Sequence, residues 1–207
     1  MSLSLNEIEA TARKAARGAG LSWGEAEEAG RAARWLCAHG LDGCGDLAVL
    51  LRGPRHAGPD ISPGQWSASR PLCALRTGIA LSDFAHLLPG GPIRLTTVAH
   101  PRLLLPFASA AARALCKTIT LHSAGFIATT DGTQTALTGQ PQSKAAVTLT
   151  LGGTVTRPLP SARRATPAPT DWARLLSFAA RTYAPATEAS RLAGARIGDV
   201  AYLPDVS

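Results

Sequence analysis

Two helix-capping signatures eighteen residues apart constrain this chain more than any other feature in it. Ser4-Leu5-Asn6-Glu7 and Ser22-Trp23-Gly24-Glu25 each read as a capping box. In such a box a serine hydroxyl accepts from the backbone N–H three residues on, and the glutamate there accepts from the serine N–H. After the first box Leu5, Ile8, Ala12, Ala15 and Ala19 recur at helical spacing, and Gly18 and Gly20 stop the helix. After the second, Trp23, Ala26, Ala29, Ala33 and Leu36 share one face, with Gly40 as the C-cap. Only Gly18–Leu21 joins the two, so the spacing predicts an antiparallel helical hairpin. A shorter helix is expected over Asp46–Arg52.

The pattern after the hairpin mixes periods. Residues 53–71 hold Pro54, Pro59, Pro63 and Pro71 among glycines and read as a loop, pinned to the body by Trp66. Leu72–Leu81 reads as a helix, Ser82 as the N-cap of a second one over Asp83–Leu88, and Ile93–Val98 as a strand. Pro101 suits a first helical position, and Leu103–Cys116 is apolar on most sides, as a buried helix is. From Lys117 the period falls to two, giving strands at Lys117–His122, Phe126–Thr130, Thr133–Thr138 and Ala145–Leu151. Asp131-Gly132 supplies a two-residue hairpin signal. Residues 157–169 (RPLPSARRATPAP) read as a linker with neither helix nor ladder. Thr170-Asp171 caps a last long helix, Trp172–Tyr183, and Thr187-Glu188 opens a short one.

Helices first, a meander next and a helix last define an α+β class: an N-terminal helical hairpin, a central antiparallel β-meander and a C-terminal helix. The expected organisation is one α+β domain over residues 1–207. Its parts are a helical portion (1–52), a loop (53–71), a mixed core (72–156), a Pro/Arg-rich linker (157–169) and C-terminal helices with a tail (170–207). Hydrophobic residues make up 45% and aromatics 5%, so Ala, Leu and Val must fill the core. No apolar run is long enough to cross a membrane. The opening MSLSLNEIEA has two glutamates and no basic stretch, and the four cysteines are too few for a disulfide scaffold. A cytoplasmic protein with free thiols is expected.

Charge is uneven. The net charge is +7, and residues 86–170 carry all of it: eight bases against Asp131, 8 − 1 = +7. Such a field steers anionic ligands. Nucleic acid is disfavoured, because the bases are single and scattered and only Phe107 and Phe126 are there to stack. The surplus guanidinium groups and the last short helix are expected to face a common hollow.

Candidate chemistry rests on a few polar residues. Asp83 and His86 stand three apart, as a carboxylate orienting an imidazole on one helical face would. His100, before Pro101, is the other catalytic candidate. Glu188, Ser190 and Arg191, on a short helix capped by Thr187, form the candidate ligand-binding set, since free N–H groups and a guanidinium together suit an anion. Cys37, His39 and Cys44 lack the paired spacing of a zinc site, so no metal is expected. No P-loop, G-x-G-x-x-G, G-x-S-x-G or H-E-x-x-H occurs, and no cofactor is expected.

The opening LNEIEATARKAARGAGLSWGEAEEAGRAARWL and the closing ATEASRLAGA resemble an uncharacterised proteobacterial family, a domain of unknown function, along the whole chain. Glu188-Ala189-Ser190-Arg191 with Gly194 is the most specific part of that likeness, which implies no reaction. Ala38-His39-Gly40 is similar to the Ser-His-Gly of lactate/malate dehydrogenase-like proteins, but the serine is absent and no dinucleotide signal follows. The expected function is binding of a small anionic metabolite, with Asp83, His86 and His100 available for catalysis. The alternative is a non-catalytic homo-oligomeric or partner-binding subunit that uses Ala-rich helices and strand edges.

Overall fold

The computed structural model describes residues 1–54 and 57–183. Both capping boxes close. A two-residue strand, β1 (Leu3–Ser4), runs into α1 (Leu5–Gly18), where Glu7 N donates to Ser4 Oγ at 3.2 Å and Ser4 N to Glu7 Oε2 at 2.9 Å. Ser22 and Glu25 repeat the exchange at the start of α2 (Trp23–Ala38). Ile8, Ala12, Ala15 and Ala16 of α1 face Ala26, Ala29, Ala33 and Leu36 of α2, all buried. Small side chains let the two helices approach closely, and at Gly30 an added Cβ would meet the Glu9 carbonyl at 2.9 Å. Trp23 does not join this face. As the first helical residue it turns outward, 70% exposed.

The third helix, α3 (Gly43–Arg52), starts three residues earlier than expected, because Asp42 caps it by accepting from Gly45 N at 2.9 Å. The proline-rich stretch then differs from the expected loop. It holds an antiparallel hairpin of β2 (Asp60–Ser62) and β3 (Gln65–Ser67), and Trp66 within it is fully buried. After β4 (Leu72–Cys73) comes α4 (Ala74–Asp83). Ser82 lies inside α4, donating to the Gly78 carbonyl, and caps no second helix; a 3-10 segment, Ala85–Gly90, follows. Next are β5 (Ile93–Ala99), a 3-10 turn at Pro101–Leu104 and α5 (Leu105–Leu115). The remaining described elements are β6 (Ile119–Ser123), β7 (Phe126–Thr130), β8 (Thr135–Gly139), β9 (Lys144–Leu151), β10 (Arg164–Ala165) and α6 (Pro169–Ala180).

β6, β7 and β8 form the expected antiparallel meander. β9 inserts between β5 and β6, antiparallel to both, so the main sheet runs β2-β3-β5-β9-β6-β7-β8. β3 and β4 both pair parallel to β5, at its start and its end. The turn between β7 and β8 spans four residues rather than two. The Asp131 carboxylate accepts from Thr133 N and Gln134 N at 2.8 and 2.7 Å, and Gly132 takes φ +89°, so strand geometry resumes only at Thr135. One sheet face carries Ile93, Leu95, Leu121, Phe126, Val147 and Leu149 into a core shared with the helices. Arg94, His122 and Ile127 lie on exposed positions of the same strands.

The stretch read as a free linker makes ladder contacts. Pro158 bridges Ala136, Leu159 N donates to the Thr135 carbonyl, Ala162 N donates to the Ala38 carbonyl, and β10 pairs antiparallel with β1. Prolines remove donors from this stretch, and of the N–H groups that remain, those of Leu159 and Ala162 find carbonyls on β8 and at the end of α2. Among the described residues no helix is long and apolar enough to cross a membrane.

Candidate functional site

Asp83 and His86 do not form a unit. α4 ends at Asp83, and Phe84, at φ −108° and ψ 22°, breaks the helical register before the 3-10 segment begins. Both side chains are exposed, and His86 has the Phe84 ring as its neighbour at 6.0 Å. His100 lies elsewhere. β4 pairs with the end of β5, so α4 starts next to His100 and runs away from it. Asp83, nine residues on from Ala74, lies about 14 Å along that axis.

His100 instead borders a buried charged pair. Arg102, in the 3-10 turn after β5, donates from Nε and Nη2 to the two carboxylate oxygens of Asp46 on α3, at 2.6 and 2.7 Å. Burial pushes the Asp46 carboxyl above its ordinary value; Arg102 and His100 pull the other way, and Asp42 adds to the rise. Arg102 is raised by its bonds to Asp46. His100 itself is left-handed, at φ 56° and ψ 57°, an uncommon state for a residue with a Cβ. Its N–H donates to the Ser143 carbonyl, and its own carbonyl accepts from Leu103 N. The backbone here locks the corner between β5 and the turn, and the ion pair ties that corner to α3.

The bases of residues 86–170 do not converge. Arg102 is held by Asp46, Arg113 donates to the Gly132 carbonyl, and Arg164 binds Ser2. Arg94, Lys117, Lys144, Arg157 and Arg163 are exposed at separate places. Glu188, Ser190 and Arg191 lie outside the described residues.

Positive charge gathers at a place the sequence does not advertise. A cleft of about 630 Å³ opens between the second half of α1, the start of α2 and the residues just after α6. Among the described residues Arg13, Lys14, Arg17 and Arg181 line it, against Glu27. Arg13 pairs with Glu27 at 3.1 Å. Lys14 Nζ donates to Tyr183 Oη at 3.2 Å. Arg17 Nη1 donates to the Leu21 carbonyl, and its guanidinium lies 4.4 Å from the Trp23 ring. Arg181 lies over Phe178 at 4.7 Å. Trp23 and Tyr183, 70% and 64% exposed, form aromatic walls that carry cations rather than burying against the core.

Residues 1–52 carry six bases and seven acids, so a summed charge hides this cleft. The structure separates them. Glu9 pairs with Arg34, Glu28 with Arg31, Glu25 with Arg76 and Asp46 with Arg102, while Glu7 is engaged in its cap. The spacing of Arg13, Lys14 and Arg17 on one amphipathic helix is the signal that could have found it.

His39 donates from Nδ1 to the Trp35 carbonyl at 2.8 Å and stacks on the Trp35 ring. Cys37, Cys44 and Cys73 are buried free thiols.

A domain described as "Protein of unknown function (DUF3726)" is found at residues 3–88. It covers α1 to α4, and with them the α1 and α2 walls of the cleft, and ends well before Glu188. No curated protein matches the chain.

Proposed function

We propose that the protein binds a small anionic metabolite in the cleft between α1, the start of α2 and the end of α6. The observation that carries this reading is the convergence there, among the described residues, of four cationic side chains against one carboxylate, a local excess of 4 − 1 = 3 charges. The volume, about 630 Å³, is within the range of small-molecule sites. Arg13 is already neutralised by Glu27, and Arg17 holds the Leu21 carbonyl, so both shape the wall. Among the described residues the charged ends of Lys14 and Arg181 meet Tyr183 and Phe178 and pair with no carboxylate, which leaves donors for an incoming carboxylate or phosphate. Trp23 offers a flat apolar surface beside them.

The test is a titration of orthophosphate, pyrophosphate, citrate and adenosine monophosphate, followed by thermal shift and calorimetry. At least one is expected to stabilise the protein, with affinity falling as salt rises. Lys14→Gln and Arg181→Gln are each expected to weaken that ligand by about tenfold, the worth of one charge-assisted hydrogen bond. A ligand whose stabilisation is unchanged in the double variant binds elsewhere and refutes the assignment, and so does a panel without any response.

A further inference from the structure

A second feature stands apart from the cleft. Cys37 lies in the last turn of α2 and Cys44 in the first turn of α3, joined by the tight connection through Gly40 and Asp42. Their sulfurs are 3.9 Å apart, in hydrogen-bond contact. The sulfurs are also unequal. Both are buried, Cys44 completely and Cys37 to 4% exposure, and Cys37 lines a groove of about 480 Å³ between the α2–α3 connection and residues 162–168.

We propose that Cys37 and Cys44 form a redox-active dithiol, oxidised to an internal disulfide by a small disulfide that enters through this groove, with Cys37 as the attacking sulfur. The chemistry of the pair supports the division of roles. The Cys44 thiol, and then the N–H groups of Gly43 and Cys44 at the start of α3, hold the Cys37 thiol below its ordinary value, against burial and the charge of Asp42. The same thiol–thiol hydrogen bond, with burial, pushes Cys44 up. Although Cys37 belongs to the end of α2, its sulfur faces those N–H groups of α3, and donors at a helix start favour a thiolate, the form that attacks in thiol–disulfide exchange.

The exchange balances in two steps. Cys37 gives its proton to solvent, and its thiolate attacks one sulfur of the small disulfide, forming a mixed disulfide and expelling one thiolate. That thiolate takes the proton of Cys44, which is no longer opposed by negative charge on Cys37. The Cys44 sulfur then attacks Cys37 Sγ, expelling the second thiolate, which takes a proton from solvent. The two cysteines lose two electrons, and the small disulfide is reduced to two thiols. The sulfurs close from 3.9 Å to a bond of about 2.0 Å.

The experiment uses the full chain with Cys116→Ser, which removes the exposed thiol, treated with 2-hydroxyethyl disulfide and mapped by peptide mass spectrometry. The expected product has lost two hydrogen atoms, joins the Cys37 and Cys44 peptides, and reverts with dithiothreitol. With Cys44→Ser added, Cys37 is expected to carry one mercaptoethanol adduct; with Cys37→Ser instead, Cys44 stays unmodified. The proposal is overturned if the oxidised protein still has both thiols, or if it links any other pair. An adduct on Cys44 but not on Cys37 reverses the roles and overturns the assignment of the attacking sulfur. The wild-type cysteine pair alone decides the first two outcomes, whether or not the serine variants fold.

Discussion

Asp46 on α3 accepts both forks of the Arg102 guanidinium, at 2.6 and 2.7 Å, across 56 positions of sequence. The pair joins the helical half of the molecule to the corner of the sheet that His100 shapes. Both side chains are largely shielded, 14% and 24% exposed, so removing one partner strands the other charge. Arg102→Met is expected to cost about 3 kcal/mol in urea unfolding, the lower end for a buried pair. Arg102→Met with Asp46→Leu is expected to recover part of that loss, because nothing charged remains buried. A single-variant cost under about 1 kcal/mol would show the pair to be solvated in practice.

Thr77, in the middle of α4, is fully buried, and its hydroxyl has no hydrogen-bond partner among the described residues. Valine has the same shape without the unsatisfied group. Thr77→Val is therefore expected to stabilise the protein by about 1 kcal/mol. For a chain of this size that raises Tm by roughly 2–4 °C. A lower Tm would mean that the hydroxyl has found a partner in solution.

The parts of the fold legible in the sequence are those fixed by neighbours in sequence. Ser4 with Glu7 and Ser22 with Glu25 set two helix starts through bonds three residues long. The β2–β3 hairpin was not legible, because its support is remote: Gln65 and Trp66 pair with Arg94 and Leu95 of β5. Ser82 misleads for a related reason. Its hydroxyl can cap or can bond back to a carbonyl four residues earlier, and here it takes Gly78. The placement of β9 between β5 and β6 follows from no local signal; its alternation of buried Ala145, Val147 and Leu149 fits any position inside the sheet.

The site was less legible than the fold. Asp83, His86 and His100 stand out in the sequence by chemical type alone, and the structure sends His100 to a different place from the other two. The cleft depends on Arg181 returning to within reach of Arg13, Lys14 and Arg17, a contact between segments distant in sequence that α1–α6 packing creates.

That packing has a narrow tolerance at Gly18. The last residue of α1 presses so closely on α6 that a Cβ there would overlap the Phe178 carbonyl. Gly18 also differs from a simple helix stop: it remains helical, and Gly20, at φ +91°, makes the reversal. Gly18→Ala gains about 1 kcal/mol of helix propensity and loses roughly 1–3 kcal/mol to overpacking. A net destabilisation is expected in thermal melts. Because α6 must shift, Arg181 and Tyr183 move with it, so anion affinity is expected to fall although no charge in the cleft has changed. Unaltered affinity in a destabilised Gly18→Ala protein would separate the cleft from the α1–α6 contact.

The capping boxes also set an acid limb. The Ser4 N–H, then its hydroxyl, hold the Glu7 carboxyl below the usual value. At Glu25 burial acts upward, but the Ser22 N–H, Arg76 and the Ser22 hydroxyl outweigh it. A carboxyl lower in the folded than in the unfolded state contributes stability that is complete above the unfolded value, 4.5, and is lost as pH falls through the folded one. Glu25→Gln is therefore expected to be less stable than wild type at neutral pH, by under about 1 kcal/mol because the pair with Arg76 is partly exposed. The two unfolding curves are expected to converge as pH drops below 4.5. A gap that stays constant into acid would place the Glu25 contribution in packing of the side chain rather than in its charge.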